Sequence, residues 1–367
     1  MDVELKRVVL LSGALRLSGS TTWILNLHKG LLRHHVDVVH IVLSDASEIV
    51  PDFGCTVYTG RARASFLLRI WRWAQLHRLL PGAYEALLER ECSARVDAVL
   101  RKLGWESRVD LVIKDFTSHL PSSIARFPVV AVVHQMLSQS WGDALSKAAG
   151  QHARFFVPVS KVVGADAQGL GVAVLDPIYN PLDRDWLAER AVEFESAVRK
   201  PYIVYVGRLS SAKGVHDLLA AFSKLSSDVD LVFVGRGEEQ AALEEGACRL
   251  KVETRVHFLG FRENPYPYIR GARVLVLPSK SEAMSYVSME AAALDIPIVV
   301  GGFDAAFEFF SDDAVVPLQP EEGFVCRLAE RIDATITGAC FGGVRPGTFE
   351  KMRPEIVAGE YLRLIED

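Results

Sequence analysis

The chain has few cysteines, and their positions exclude two kinds of stabilising site. Five cysteines are spread over 367 residues, and no two of them form a Cys-x-x-Cys pair. An odd number of widely spaced thiols predicts neither a disulfide framework nor a zinc site. We therefore expect the thiols to be buried or incidental.

Long apolar runs are also lacking. No run reaches the roughly 18 residues that a membrane-spanning helix needs. The first seven residues include acids where a signal peptide has bases, and the apolar run that follows, 8–11, is too short for one. The sequence therefore predicts a cytoplasmic protein.

Positive charges are fewer than negative charges, which gives a net charge of −5, and they are unevenly placed. Residues 1–180 contain 20 Lys and Arg against 16 Asp and Glu, whereas residues 181–367 contain 21 against 30. This asymmetry predicts that the two halves meet different partners. The basic excess is small and no recognisable binding motif accompanies it, so we do not expect a nucleic-acid partner.

Short β-branched runs alternate with helical patterns along most of the chain, in two successive series. The first series of predicted strands comprises 8–11, 38–42, 111–113, 129–133 and 155–159. The second comprises 202–206, 231–234, 256–259, 274–277, 298–300 and 315–316. Two such series predict an α/β protein with two Rossmann-like, doubly wound domains that face a cleft. Ligands of such sheets bind beyond the carboxyl ends of the strands.

A turn-rich segment around Asn180 and Pro181 separates the two series. The predicted domains are an N-terminal domain over 1–180, a linker over 181–200, a C-terminal domain over 201–350, and a terminal helix over 351–367 that can pack back on the N-terminal domain.

The strongest chemical pattern begins where strand 202–206 ends. Gly207 lets the backbone approach a ligand, Arg208 can fork onto phosphate oxygens, and Lys213 adds a positive charge at the mouth of the next helix. The dipole of that helix favours an anion at the same place. On its own, the pattern fits equally well with two solvent-facing bases in a βα loop.

Two carboxylates, Glu282 and Glu290, follow strand 274–277. We expect Glu282 just before a helix and Glu290 about two turns further on, a span of about 12 Å at 1.5 Å per residue. That separation suits a sugar hydroxyl at one carboxylate and a ribose diol at the other. The alternative for either residue alone is a capping acid or a surface acid.

Taken together, these residues resemble a known family. The order Gly-Arg…Lys-Gly, Val-Gly-x-Gly, Phe-x-Gly and Glu…Glu over about 200–310 is similar to the C-terminal domain of the retaining glycosyltransferases of family 4. The resemblance implies a GT-B fold and no required metal. It also implies a nucleoside-diphosphate sugar, with UDP or GDP, as co-substrate, and no other cofactor.

The resemblance further implies a role for individual residues. Arg208 and Lys213 would take the donor diphosphate, Glu282 the donor sugar and Glu290 the ribose hydroxyls. The predicted catalytic residues are Glu282, His134, Arg208 and Lys213. The predicted donor-binding residues are Gly19, Gly207, Arg208, Lys213, Gly235, Phe261, Ser285 and Glu290. No metal site is predicted, because the Asp-x-Asp at 228–230 is interpreted as a turn.

The N-terminal half matches the family less specifically. Gly19 is predicted in a short loop after strand 8–11 that meets the donor phosphate and the acceptor. Its surroundings lack the spacing of a dinucleotide fingerprint, which argues against a nicotinamide dehydrogenase. His134 ends strand 129–133, where the family often places a histidine near the donor sugar. The alternative is a structural histidine.

One departure from the family keeps other functions open. The family usually has glycines just after the first glutamate, where this chain has Ala283, Met284 and Ser285. This departure keeps open a GT-B-shaped binding subunit without turnover. The alternative among enzymes is a GT-B sugar-nucleotide epimerase or phosphorylase, although the spacing of the two glutamates and the Arg/Lys loop favour a transferase.

The segment 61–80 bears on the acceptor. It contains five arginines, two tryptophans and no acid, which is the expected composition of an interfacial membrane anchor. The alternative is a helix that packs on its own domain. The resulting prediction is a retaining glycosyltransferase for a glycan or lipid-linked acceptor, in polysaccharide or lipopolysaccharide synthesis, either free in the cytoplasm or peripheral on the inner face of the membrane.

Overall fold

The computed structural model describes residues 5–13, 19–43, 57–59, 83–115, 120–140 and 153–366. The chain divides into two compact units. The first contains Met1–Pro181 together with Met352–Asp367, and the second contains Leu182–Lys351. The segment predicted as a linker, 181–200, thus lies almost wholly within the second unit.

The first unit contains a six-stranded parallel sheet in the order β3-β2-β1-β4-β5-β6. Its central strands are β-branched runs that are buried on both faces, as parallel sheets covered by helices require. Its strands are β1 (Arg7–Ser12), β2 (Asp37–Val42), β3 (Val57–Thr59), β4 (Leu111–Asp115), β5 (Val129–Val133) and β6 (Phe155–Pro158).

Helices cover this sheet, and one of them comes from the far end of the chain. The helices of the first part of the chain are α1 (Gly19–Arg33), α2 (Ala83–Leu103), α3 (Leu137–Ser140) and α4 (Lys161–Gly169). Cys92 and Val96 of α2 pack with Val9 and Val112 in one buried cluster. The C-terminal helix Pro354–Arg363 packs along α1.

The second unit repeats the architecture, with six parallel strands in the order β12-β11-β10-β7-β8-β9. Its strands are β7 (Tyr202–Val206), β8 (Asp230–Val234), β9 (Val256–Gly260), β10 (Val274–Leu277), β11 (Ile298–Gly301) and β12 (Val315–Val316). Its helices are α5 (Arg184–Arg190), α6 (Val215–Phe222), α7 (Gln240–Arg249), α8 (Tyr266–Arg270), α9 (Tyr286–Ala293), α10 (Ala306–Phe309), α11 (Phe324–Ile336) and α12 (Thr348–Lys351). The C-terminal helix of the first unit is α13.

Both strand orders reverse direction once, and this confirms the prediction of two doubly wound α/β sheets. All eleven predicted strands are present, and their ends differ from the predicted ones by two residues at most. The short edge strand β3 was not predicted. Among the residues that the structure describes, no helix is long and apolar enough to cross a membrane.

Candidate active site

The strand order of the second unit brings two loops together. Strand β7 lies between β8 and β10, so the loops that leave the carboxyl ends of β7 and β10 start side by side. The backbone N–H of Lys280 donates to the carbonyl of Ala212 at 3.3 Å and ties one loop to the other. This is the switch point of the sheet, the place where ligands of doubly wound sheets bind.

Two predicted site residues meet at this switch point. The ammonium of Lys213, in the loop after β7, lies 2.6 Å from Oε1 of Glu282, in the loop after β10. The Lys213 side chain is one-third exposed and that of Glu282 is mostly buried. A cation and a carboxylate therefore form an ion pair at this switch point, and the cation is partly exposed to solvent.

The backbone of Arg208 is fixed by a buried hydrogen bond, whereas its side chain forms only an exposed ion pair. The hydroxyl of the buried Tyr205 donates to the Arg208 carbonyl at 2.7 Å. Burial, followed by the nearby charge of Glu282, raises the pKa of Tyr205 above its usual value, so the phenol stays protonated. The Arg208 guanidinium is 71% exposed and pairs with Glu238 at 3.1 Å. Exposed pairs of this kind contribute little, so the guanidinium can turn to a stronger anion.

Glycine is required at this edge by backbone packing. Gly214 has a left-handed φ of 69°, and a Cβ there would lie 2.2 Å from the carbonyl oxygen of Pro278. A Cβ on Gly235 would lie 1.9 Å from the carbonyl oxygen of Gly207. Any side chain at 214 would push the loops after β7 and β10 apart, and any side chain at 235 would separate the ends of β7 and β8.

Ser285 ends the loop that carries Glu282. It is the N-cap of α9, and its hydroxyl accepts a hydrogen bond from the N–H of Ser288 at 3.3 Å. The helix begins at Tyr286, so residues 282–285 are not helical. The predicted span of about 12 Å between the glutamates assumed a continuous helix and is corrected on this point.

Glu290 lies on the second turn of α9 and is 7% exposed. The hydroxyl of Tyr266 donates to its Oε1 at 3.1 Å. Burial raises the pKa of Glu290 to about 7, and the hydrogen bond from Tyr266 opposes that rise. The protonation of Glu290 therefore changes near neutral pH.

Phe261 follows the last residue of β9 and is 45% exposed. The guanidinium of Arg236, from the loop after β8, approaches Gly260, since a Cβ there would lie 3.5 Å from Arg236 Nε. An exposed ring and a guanidinium thus lie at the carboxyl end of β9, which is two strands from β7 in the sheet.

In the first unit, His134 directly follows β5 at the carboxyl edge of its sheet. Its ring meets the ring of Trp23 edge to face, with centroids 4.4 Å apart, and its Nε2 lies 4.0 Å from Oδ2 of Asp115. Burial lowers the pKa of His134 and the carboxylate of Asp115 opposes this, so the ring is neutral at pH 7. The arrangement gives an uncharged imidazole beside an acid.

Gly19 was predicted in a loop, but the structure shows that it is the first residue of α1. The residues before it, 14–18, lie outside the described residues. Trp23, one turn into the same helix, connects this helix end to His134. The segment 61–80 also lies outside the described residues.

The Asp-x-Asp at 228–230 is divided between the loop before β8 and the first residue of that strand. Asp230 is the first residue of β8 and pairs with His257 at 2.7 Å, whereas the exposed Asp228 pairs with Lys200. Over the described parts of the chain, no group of three His, Cys, Asp or Glu side chains could hold a metal ion.

The sequence analysis missed Tyr266, although it touches a predicted site residue. A tyrosine next to prolines in a short helix resembles an ordinary core aromatic, and nothing in its spacing relates it to Glu290. Trp23 and Asp115 were missed for the same reason, because their contacts with His134 depend on the strand order.

Comparisons with known proteins show what the second unit is similar to. The family model for glycosyl transferases group 1 matches residues 200–336. The matched segment contains every predicted site residue of the second unit. The match confirms a resemblance to glycosyl transferases group 1 over that part of the chain.

Curated relatives match only part of this chain. An N-acetylgalactosamine-N,N'-diacetylbacillosaminyl-diphospho-undecaprenol 4-alpha-N-acetylgalactosaminyltransferase from Campylobacter jejuni is 31% identical over 137 residues, which are 37% of this chain and 37% of that relative. The lipopolysaccharide core biosynthesis glycosyltransferase LpsE from Rhizobium meliloti is 30% identical over 38% of this chain and 45% of its own. The match thus spans less than half the length of these relatives.

Solved structures match over the whole chain at low identity. The lipopolysaccharide outer core galactosyltransferase WaaB covers 98% of this chain and 99% of its own, with a TM-score of 0.65 and 15% identity. HepE from Anabaena, in complex with UDP and glucose, gives the same coverage and TM-score at 16% identity. This likeness confirms the GT-B fold.

Proposed function

We propose that this protein is a retaining glycosyltransferase. It moves a sugar from a nucleoside-diphosphate sugar to a glycan or lipid-linked acceptor, in the synthesis of a cell-surface polysaccharide or lipopolysaccharide. The observation that carries the proposal is the contact of Lys213 with Glu282 at the switch point of the unit that resembles glycosyl transferases group 1. A phosphate-binding cation and a sugar-binding carboxylate are needed within a few ångströms of the bond that breaks.

The chemistry assigned to the basic residues is stabilisation of the leaving group. The bond between the anomeric carbon and the diphosphate oxygen breaks, and negative charge develops on the diphosphate. Lys213, with Arg208 and the N-terminus of α6, stabilises that charge electrostatically. The acceptor hydroxyl bonds to the anomeric carbon from the same face, and its proton passes to the departing phosphate oxygen. No nucleophile from the protein takes part, and no metal is required.

The two glutamates are assigned to the two ends of the donor. Glu282 accepts a hydrogen bond from a hydroxyl of the sugar, next to the cation that holds the diphosphate. Glu290, on the second turn of α9, accepts from the ribose hydroxyls. Because Gly207 and Gly235 have no side chains, the backbone at these positions can lie close to the nucleotide. Phe261 lies at the edge of the same surface, on the side of β9.

The names of the relatives support the proposed partners. HepE was solved with UDP and with UDP-glucose, which supports a nucleoside-diphosphate sugar as the donor. The relative from Campylobacter jejuni is named for a diphospho-undecaprenol-linked saccharide, which supports a lipid-linked acceptor. The basic segment 61–80 suits attachment to an anionic membrane surface.

Turnover of a donor panel tests the proposal. The purified protein is incubated with UDP-, GDP- and ADP-sugars and an extract of lipid-linked saccharides, and the released nucleoside diphosphate is measured. We expect release from one donor class, dependent on acceptor and unchanged by exhaustive EDTA treatment. The product should keep the anomeric configuration of the donor, read by NMR.

Other outcomes assign other functions. Free nucleoside diphosphate and a C2-epimerised sugar without an acceptor would indicate an epimerase. Sugar 1-phosphate formed from a glycan and phosphate would indicate a phosphorylase. Tight nucleotide binding without turnover of any donor would indicate a binding subunit. Loss of activity with EDTA and rescue by magnesium or manganese would reject the metal-independent mechanism.

A further inference from the structure

The predicted ribose ligand Glu290 is buried, and one of its carboxylate oxygens has a partner. The hydroxyl of Tyr266 donates to Oε1 at 3.1 Å, and both side chains are under 10% exposed. A buried carboxylate needs such a donor, because an ionised group without one is strongly disfavoured in an apolar environment. The contact is therefore a condition for the charged form of Glu290.

Tyr266 is itself fixed at its backbone and at its ring. Its N–H donates to Oδ1 of Asn264 at 3.1 Å. The amide nitrogen of Asn264 donates in turn to the carbonyl of Arg190 and to the carboxylate of Glu193, both at 2.9 Å. The ring of Trp186 meets the Tyr266 ring edge to face, with centroids 5.8 Å apart. The phenol thus has one defined position, set by α5 and the loop before α8.

Within the described parts of the chain, no cation acts directly on Glu290. Helix α9 packs on α5, α8 and the strands β10 and β11, and the two strands carry only apolar side chains and a glycine. From α8 the titratable group that faces Glu290 is Tyr266, and from α5 Arg190 acts on Tyr266, with Glu193 beyond Asn264.

We propose that Tyr266 is a positioning residue for donor binding: its phenol holds one oxygen of the Glu290 carboxylate, favours the ionised form of that carboxylate and leaves the second oxygen for the ribose diol. This inference rests on the proposed function, because it assumes that Glu290 binds the ribose. Removal of the phenol affects the nucleotide through Glu290 and not through a contact of its own.

The geometry has a consequence for pH. Burial raises the pKa of Glu290 to about 7 even with the Tyr266 hydrogen bond in place. Without that bond, which favours the charged form, the pKa rises further. Hydrogen bonds to charged groups are strong enough to shift a pKa by about one unit or more. Since a protonated carboxyl accepts ribose hydroxyls poorly, nucleotide affinity falls as pH drops through that pKa.

The first experiment measures Glu290 directly. The full chain is labelled with [5-¹³C]glutamate, its carboxyl signals are titrated by NMR, and the Glu290 signal is identified by its loss in Glu290→Gln. We expect a midpoint near pH 7 in the unchanged protein and a midpoint about one unit higher or more in Tyr266→Phe. Tyr268→Phe removes a phenol from the same helix and should leave the midpoint in place. Equal midpoints in Tyr266→Phe and the unchanged protein would overturn the inference.

The second experiment measures the consequence for the ligand. The Kd of UDP and of GDP is determined by calorimetry from pH 6 to pH 9 for the unchanged protein, Tyr266→Phe and Tyr268→Phe. Affinity should rise with pH and level off above the Glu290 midpoint, and the levelling should occur at higher pH in Tyr266→Phe alone. The difference should vanish with a dideoxynucleoside diphosphate, which lacks the ribose hydroxyls.

The two experiments separate the two hypotheses. If the unchanged protein binds no nucleoside diphosphate, the proposed function fails, and NMR still decides whether Tyr266 controls the protonation of Glu290. If nucleotide binds with the same pH dependence in the unchanged protein and in Tyr266→Phe, the proposed function stands and the positioning role is overturned. Circular dichroism at each pH confirms that the variants are folded.

Discussion

The carboxyl edges of the two sheets differ in the kind of titratable group they carry. In the second unit Lys213 and Glu282 form an ion pair that is partly open to solvent. In the first unit burial lowers the pKa of His134, which follows the last residue of β5, so this imidazole is neutral at pH 7. The edge of the second sheet thus has a cation in contact with a carboxylate, whereas the described edge of the first sheet has a neutral imidazole beside the carboxylate of Asp115.

Under the proposed function, this difference indicates which unit binds the anionic part of the donor. A diphosphate needs cations and helix N-termini that are fixed before it arrives. The second unit has both after β7. A sugar or an acceptor hydroxyl needs neutral donors and acceptors in a defined shape, and the proposal assigns that part to the buried contact of His134 with Trp23.

The largest effect expected from this comparison is at Lys213. Lys213→Ala should lower turnover at least about a hundredfold, because one preorganised contact to the leaving diphosphate is lost. The fold should be unaffected, since the pair with Glu282 is partly exposed. Release of nucleoside diphosphate from the active donor is the measurement, and Lys224→Ala, at the other end of α6, is the control. A loss below threefold in Lys213→Ala would remove the assignment of the charge to this loop.

A smaller effect should separate the two glutamates. Glu290→Ala should weaken binding of the free nucleoside diphosphate by about tenfold or more, because charged hydrogen bonds to the ribose are lost. Glu282→Ala should spare that affinity and reduce turnover, since its partner is the sugar. Calorimetry with nucleotide alone and turnover with the full donor distinguish the two.

The same measurement compares the two units. His134→Ala should leave the nucleotide affinity unchanged, because its neutral ring has no part in binding the diphosphate. Equal losses of nucleotide affinity in Glu282→Ala and Glu290→Ala would contradict the division of roles. A loss in His134→Ala as large as in Glu290→Ala would contradict the difference between the units.

The smallest effect concerns the membrane, and it depends on salt. Sedimentation with phosphatidylglycerol vesicles should show binding at low ionic strength and release at high ionic strength. Near an anionic surface each arginine of 61–80 contributes roughly 1 kcal/mol, and the effect fades within a Debye length. The double change Arg69→Glu with Arg72→Glu should weaken vesicle binding and leave the Kd of the donor as it is. If the unchanged protein ignores these vesicles at low salt, the acceptor does not require membrane attachment through this segment.

The sheets were predictable because buried parallel strands are continuous β-branched runs. Val129–Val133 and Tyr202–Val206 have such runs, and the structure gives the same boundaries as the sequence. The strand β3 was not predicted from the sequence, because its three residues, Val57–Thr59, lie in a polar stretch. The polar surroundings, more than the length, set this limit, because β12 has only two residues, Val315–Val316, and was predicted.

The candidate site was only partly predictable. Lys213 and Glu282 could be placed at the carboxyl ends of two strands, but their contact depends on β7 lying next to β10, and the sequence patterns do not contain that neighbourhood. The role of Tyr266 could not be predicted from the sequence, for a stronger reason. Its hydrogen bond to Glu290 links two helices whose packing is set by tertiary contacts with α5. Local patterns report periods within one element, and they carry no information on which elements touch.

The C-terminal helix α13 belongs to the first unit, and this affects the order in which the two units can fold during synthesis. Helix α1 has a glycine at position 30 because a Cβ there would lie 2.0 Å from the carbonyl oxygen of Pro354. During synthesis, all 170 residues of the second unit, Leu182–Lys351, leave the ribosome before Pro354 does. The second unit can therefore acquire its native core first, while the face of α1 that later covers Val357 and Tyr361 still lacks its partner. The synthesis of the first unit thus begins before that of the second unit, but its fold is completed later, when α13 has been made.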